Sequence, residues 1–140
     1  MKPKEGPLLP KELQEAEHHW IKESQINLSD CLKKGELKKF SPYKDSDGIV
    51  RVGGRVNKAL VSYETRHPTL IPREHWISLL ITHQVHRCGH TAVAATVAKT
   101  RRTFWILKAL DIAKSVYFCC VFCHEMQAMA ESQFMDKLPE

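Results

Sequence analysis

Apolar residues recur at two different periods along this chain. Leu13, Ala16, Trp20, Ile21 and Ser24 fall at steps close to three and four, which predicts an amphipathic helix running to about Ile26. Pro10 or Lys11 suits its first turn, and Glu12, Glu15 and Glu17 crowd the end where the helix dipole favours negative charge. Ser29-Asp30 can cap a second, shorter helix that stops at Gly35.

The period then changes. Asp45-Ser-Asp-Gly48 is a turn signal, and the alternating, β-branched Ile49-Val-Arg-Val52 after it predicts a β-hairpin. Turn chemistry accounts for Asp45 and Asp47 better than acid–base chemistry does. Gly53-Gly54 marks a bulge or a close backbone approach. His67-Pro68 and Ile71-Pro72 bracket a short extended piece, because a residue before proline avoids the helical region.

Helical spacing resumes at Glu74. Trp76, Ile77, Leu79, Leu80 and His83 form the expected buried stripe of one helix. Thr91 can cap the next, with Val93, Ala94 and Val97 facing inward and Phe104-Trp105 closing it. Leu110, Ala113, Val116, Tyr117 and Cys120 line a third. The pattern therefore predicts a mainly α fold. An extension over residues 1–72, helix then hairpin, precedes a three-helix domain over 73–126 and an acidic tail over 127–140.

Composition narrows the function classes. No run approaches the ~18 apolar residues of a membrane span, and Met1-Lys-Pro-Lys-Glu-Gly-Pro7 has no apolar signal core. A reducing location, nucleus or cytoplasm, follows as an expectation, and five cysteines argue against a disulfide framework. The net charge of +5 is uneven. Residues 33–58 hold eight basic side chains against three acidic, and residues 99–114 hold Lys99, Arg101, Arg102, Lys108 and Lys114 against Asp111 alone. Clustered cations are the footprint of a polyanion, so non-specific DNA or RNA contact through Lys99, Arg101, Arg102, Lys108 and Lys114 is one expectation. Docking of a protein partner, or self-association, is the other. No aromatic ladder is visible beside the charges, so base stacking is not expected.

The candidate chemistry lies in His83-Gln-Val-His86-Arg-Cys-Gly-His90 and in Cys120-Val-Phe-Cys123. Two histidines and a Cys-x-x-Cys knuckle supply the four nitrogen and sulfur donors that Zn²⁺ takes tetrahedrally. His86 and His90 are four apart and converge on one helix face. His83 would lie about 10 Å from His90 on a continuous helix, unless Cys88-Gly89 breaks it. His86 is thus the expected first ligand with His83 as alternative, and Cys119 is the weaker alternative to Cys120. Four bound donors leave no position for water, so the expected ion is structural.

These residues carry a resemblance. The stretch is similar to the His-His-Cys-Cys zinc domain of retroviral and retrotransposon integrases, in particular those of Bel/Pao retrotransposons. Asp47-Gly-Ile-Val-Arg-Val-Gly-Gly-Arg55, His67-Pro-Thr-Leu-Ile-Pro72, Phe104-Trp105-Ile106 and Met135-Asp-Lys-Leu-Pro139 resemble further segments of that family. The chain departs from it at Ala92, where the family usually has Gly, and in a His86–His90 gap one residue shorter than is usual in Bel/Pao elements. The resemblance implies a zinc-binding, non-catalytic head that contacts nucleic acid or protein. It also implies that the family's two aspartates and glutamate, which bind Mg²⁺ and transfer strands, would begin beyond residue 140. The chain alone is then expected not to cut or join DNA. The alternative expectation is a fragment of an integrase polyprotein, taking part in DNA integration only beside a catalytic domain encoded elsewhere.

Overall fold

The computed structural model describes residues 6–54 and 60–128. Arg55, Lys58, most of the acidic tail and the Met135–Pro139 segment lie outside the described residues. Helix α1 (Pro10–Ser24) opens with proline at its first position, and the Glu12 carboxylate accepts the N–H of Leu9 at 3.0 Å. Helix α2 (Leu28–Lys34) ends at Gly35, whose φ of 74° is the left-handed cap that glycine tolerates. Its amino-terminal cap is Asn27, not Ser29 or Asp30. A 3₁₀ turn (Lys38–Phe40) leads into strands β1 (Pro42–Lys44) and β2 (Val50–Val52), the expected hairpin. Asp45 makes its turn, accepting the N–H groups of Asp47 and Ile49 and holding Nε of Arg51 at 2.7 Å. A Cβ on Gly53 would stand 2.8 Å from the Ser41 carbonyl, so the backbones approach more closely there than a side chain allows.

A one-turn helix, α3 (Tyr63–Arg66), precedes β3 (Thr69–Ile71), and α4 (Trp76–Arg87) and α5 (Val93–Thr100) follow. Strand β4 (Phe104–Ile106) comes next, then α6 (Ala109–Phe118) and α7 (Val121–Gln127). The sheet order is β1-β2-β3-β4, antiparallel except for a parallel β3–β4 pair. Phe104-Trp105 therefore pairs in a sheet rather than closing a helix. A three-residue strand presents too few alternating positions to signal itself. Its partner β3 precedes residue 73, so the β3–β4 ladder joins the extension to the helical segment. Among the described residues, four helices follow residue 73, where three were expected.

The sheet separates two apolar clusters because its side chains alternate. Ile71 and Ile106 point to one face, where they meet Ile21, Ile49, Ile77, Val97, Ile112, Ala113 and Val116. Leu70 points to the other, with Leu28, Leu37, Val50 and Val52, and with Trp105 and Phe40 packed against them. Each fully buried Leu or Ile contributes on the order of 1.5–3 kcal/mol.

The expected helix stripes shift. The buried face of α4 is Ile77, Ser78, Thr82 and His86, whereas Trp76, Leu79, Leu80 and His83 are exposed. Trp76 instead meets Trp20 of α1 edge to face at 5.2 Å, over an apolar cleft of about 460 Å³ that includes Leu80. On α5 the buried positions are Thr96, Val97 and Thr100, with Ala94 exposed, and the cap is Ala92 rather than Thr91. On α6, Ile112 replaces the expected Leu110, which is exposed. Among the described residues, no helix is long and apolar enough to cross a membrane.

Candidate metal centre

Three local events bring four donors together. Helix α4 stops after Arg87, with Cys88 as its cap, and the chain turns at His90. His90 takes φ 46°, a left-handed conformation that side-chain-bearing residues adopt at a cost of order 1–2 kcal/mol. Its N–H still donates to the His86 carbonyl at 2.6 Å, and its ring swings back beside His86, with centroids 5.2 Å apart. His86 and His90 thus lie close together, although the helix ends between them.

The cysteines arrive from the opposite side. Helix α6 ends at Phe118 with Cys119 as its cap, Cys120 is the extended cap of α7, and Cys123 lies in the first turn of α7. One ligand atom each from His86, His90, Cys120 and Cys123 lies within 4.8 Å of the other three. Cys120 Sγ is 3.3 Å from His90 Nδ1, and Cys123 Sγ is 3.3 Å from His86 Nε2 and 3.8 Å from His90 Nδ1. A tetrahedral ion with bonds of about 2.0–2.1 Å to nitrogen and 2.3 Å to sulfur needs donor–donor edges of roughly 3.3–3.8 Å. The observed contacts match those edges, and with every donor within 4.8 Å of the others any wider edge needs to contract by no more than about 1–1.5 Å.

The neighbours orient the donors. His86 Nδ1 lies 3.2 Å from the Thr91 carbonyl, which selects Nε2 as the free donor, the usual arrangement behind a metal-binding histidine. Thr91 is thus used through its backbone, and its hydroxyl pairs with that of Thr96. The Phe122 ring lies 4.4 Å from that of His90, and Tyr117 lies 6.0 Å from His86. Burial, with His90 close by, lowers the pKa of His86 against the opposing pull of Thr91, so the ring is held neutral and able to donate. Burial, with Cys120 beside it, raises the Cys123 thiol, so a metal ion must displace its proton on binding. Sequence spacing did not single out Thr91 or Phe122 as supports, because neither supplies a donor atom.

His83, Cys88 and Cys119 are exposed and stand outside the four-donor group. Cys31 is half-buried against the second apolar cluster, as a small packing residue. Lys99, Arg101, Arg102, Lys108 and Lys114 are all exposed but do not share one element. Lys99 lies on α5, Arg101 and Arg102 in the turn before β4, Lys108 before α6, and Lys114 on α6.

No family model, curated protein or solved structure matches the chain. The meaning of the site rests on its own geometry. The donor set could hold one metal ion of the kind that accepts two imidazoles and two thiolates.

Proposed function

We propose that His86, His90, Cys120 and Cys123 bind one Zn²⁺ as a structural ion, and that the protein is a non-catalytic, integrase-like zinc module. In this reading it acts by binding nucleic acid or a protein partner. The observation that carries the reading is the convergence of two imidazoles and two thiols at near-tetrahedral spacing from two separate stretches of chain. Nitrogen and sulfur donors in this ratio favour zinc over magnesium or calcium, which take oxygen. Four protein donors close the coordination sphere, so the ion has no open position for a reacting water. The motifs that resemble Bel/Pao integrase heads support the rest.

Elemental analysis of protein purified without chelator tests the metal, with one zinc per chain expected and helical signal lost on chelation. Well under one equivalent refutes the site. Titration with duplex DNA at low and moderate salt tests the partner. Steeply salt-dependent binding supports nucleic acid, and no binding at low salt leaves protein docking.

A further inference from the structure

The two basic stretches are about sixty residues apart in sequence, yet the fold joins them in one strip. Phe40, in the 3₁₀ turn before β1, packs its ring 5.7 Å from Trp105 of β4. The Lys39 ammonium lies over Phe40, 5.0 Å from the ring centre, and the Arg101 guanidinium lies over Trp105 at 4.5 Å. The order across the surface is Lys39, Phe40, Trp105, Arg101. Both rings are half-buried because they pack against the second apolar cluster, and both cations are exposed.

This placement has a physical consequence. A lysine or arginine on an open surface loses side-chain entropy when it binds a phosphate. Here each cation already rests on a ring anchored in the core, held by cation–π attraction worth about 0.5–1 kcal/mol at exposed sites. Lys38 and Arg102 flank the pair in sequence, against Glu36 as the nearest acidic residue in sequence. By contrast, Lys38 lies over the end of α2, where its Cε would come within 2.8 Å of a Cβ on Gly35.

We propose that the Lys39–Phe40–Trp105–Arg101 strip is the nucleic-acid surface of the protein, gripping the phosphate backbone with two ring-held cations. The inference rests on the nucleic-acid arm of the function above and narrows it to one face. Each strand of duplex DNA presents one charge per about 3.4 Å of axis, so two fixed cations separated by two rings can meet different phosphates of one backbone segment. The ring faces are taken up by the cations and the core, so the strip reads charge, not bases. Binding without sequence preference follows.

The test compares two double variants that remove the same charge from full-length, zinc-loaded protein. Lys39→Gln/Arg101→Gln removes the ring-held cations, and Lys11→Gln/Lys22→Gln removes two exposed cations of α1. Affinity for a random-sequence DNA duplex is measured against salt. The strip variant is expected to weaken low-salt binding at least tenfold and to reduce the slope of log K against log salt by about 2, one per lost contact. The α1 variant should remain within twofold of the parent. Equal weakening by both variants overturns the strip while leaving nucleic-acid binding intact. A parent that binds no DNA at low salt overturns both, and zinc stoichiometry reports separately on the metal site. Trp105→Leu, which keeps the apolar cover but removes the ring, should weaken binding severalfold with zinc content unchanged. No effect of that substitution also counts against the strip.

Discussion

The corner that holds the metal donors and the corner that holds the hairpin solve the same problem with different means. Around His86, His90, Cys120 and Cys123 the neighbouring apolar side chains Phe118, Val121, Phe122 and Met126 are largely exposed, and a residue with strained backbone sits at the centre. Around Asp45 and Arg51 the chain is closed by hydrogen bonds over a buried cluster of Leu28, Leu37, Val50, Val52 and Leu70. The strongest polar tie in this corner is Gln25, buried between β2 and β3. Its amide donates to the carbonyls of Val50 and Leu70 at 3.0 and 2.7 Å and accepts the Val50 N–H at 2.9 Å. In the proposed reading, one corner depends on an ion that must be supplied; the other is closed by the chain's own hydrogen bonds. The metal should therefore govern stability at one corner and be nearly irrelevant at the other.

The largest effect should come from removing the ion. Chelation, Cys123→Ser or His90→Ala is expected to unfold α4 to α7, because metal binding in such units is folding free energy, on the order of 10 kcal/mol in apparent terms. Loss of most of the circular-dichroism helix signal, with zinc released, is the readout. Retained helicity after complete removal of zinc would erase the contrast between the corners.

Gln25→Ala should come next. It strands three buried backbone groups, each worth about 1–3 kcal/mol when unpaired, so a loss of several kcal/mol in urea unfolding is expected. Zinc content should remain at one per chain. A variant that loses zinc instead would show that the two corners are one cooperative unit.

Asp45→Ala should destabilise by about 1–3 kcal/mol, since it removes the partner of a largely buried Arg51 as well as two turn bonds. The same carboxylate sets a pH dependence. Burial raises its pKa, but Arg51 and the N–H groups of Ile49 and Asp47 outweigh burial, and the net shift is downward. A depressed carboxyl contributes stability that is present above its unfolded pKa and is lost as pH falls through the folded one. Stability should thus decline below about pH 4, less steeply in Asp45→Ala than in the parent. Identical acid profiles would remove Asp45 from the account.

The smallest effects belong to the bystanders. His83→Ala and Cys119→Ser should leave zinc stoichiometry unchanged and stability within about 0.5 kcal/mol, because both residues are exposed. Zinc loss from His83→Ala comparable with that from His90→Ala would reassign the first ligand.

These contrasts also mark what sequence could reveal. The four donors were legible because ligand chemistry restricts residue type and spacing together, and the hairpin was legible because Asp45 to Gly48 is dense in turn residues. The faces of α4 and α6 were less so. Trp76, Leu79 and Leu80 are apolar at helical spacing, but an apolar residue on the surface obeys no rule that sequence can enforce. Two positions were hidden for a different reason. Gln25 reads as an ordinary polar residue at a helix end, and its value lies in two carbonyls 25 and 45 positions away. Trp105 reads as core, and only the fold places it beneath Arg101 and beside Phe40.

X-ray absorption at the zinc edge of the purified, untreated protein tests the central claim most directly. Two sulfur scatterers at about 2.3 Å and two imidazole nitrogens at about 2.0–2.1 Å are predicted, with Cys120→Ser converting one sulfur shell to oxygen or losing the metal. A shell of nitrogen and oxygen alone, or a spectrum unchanged by Cys120→Ser, would contradict it.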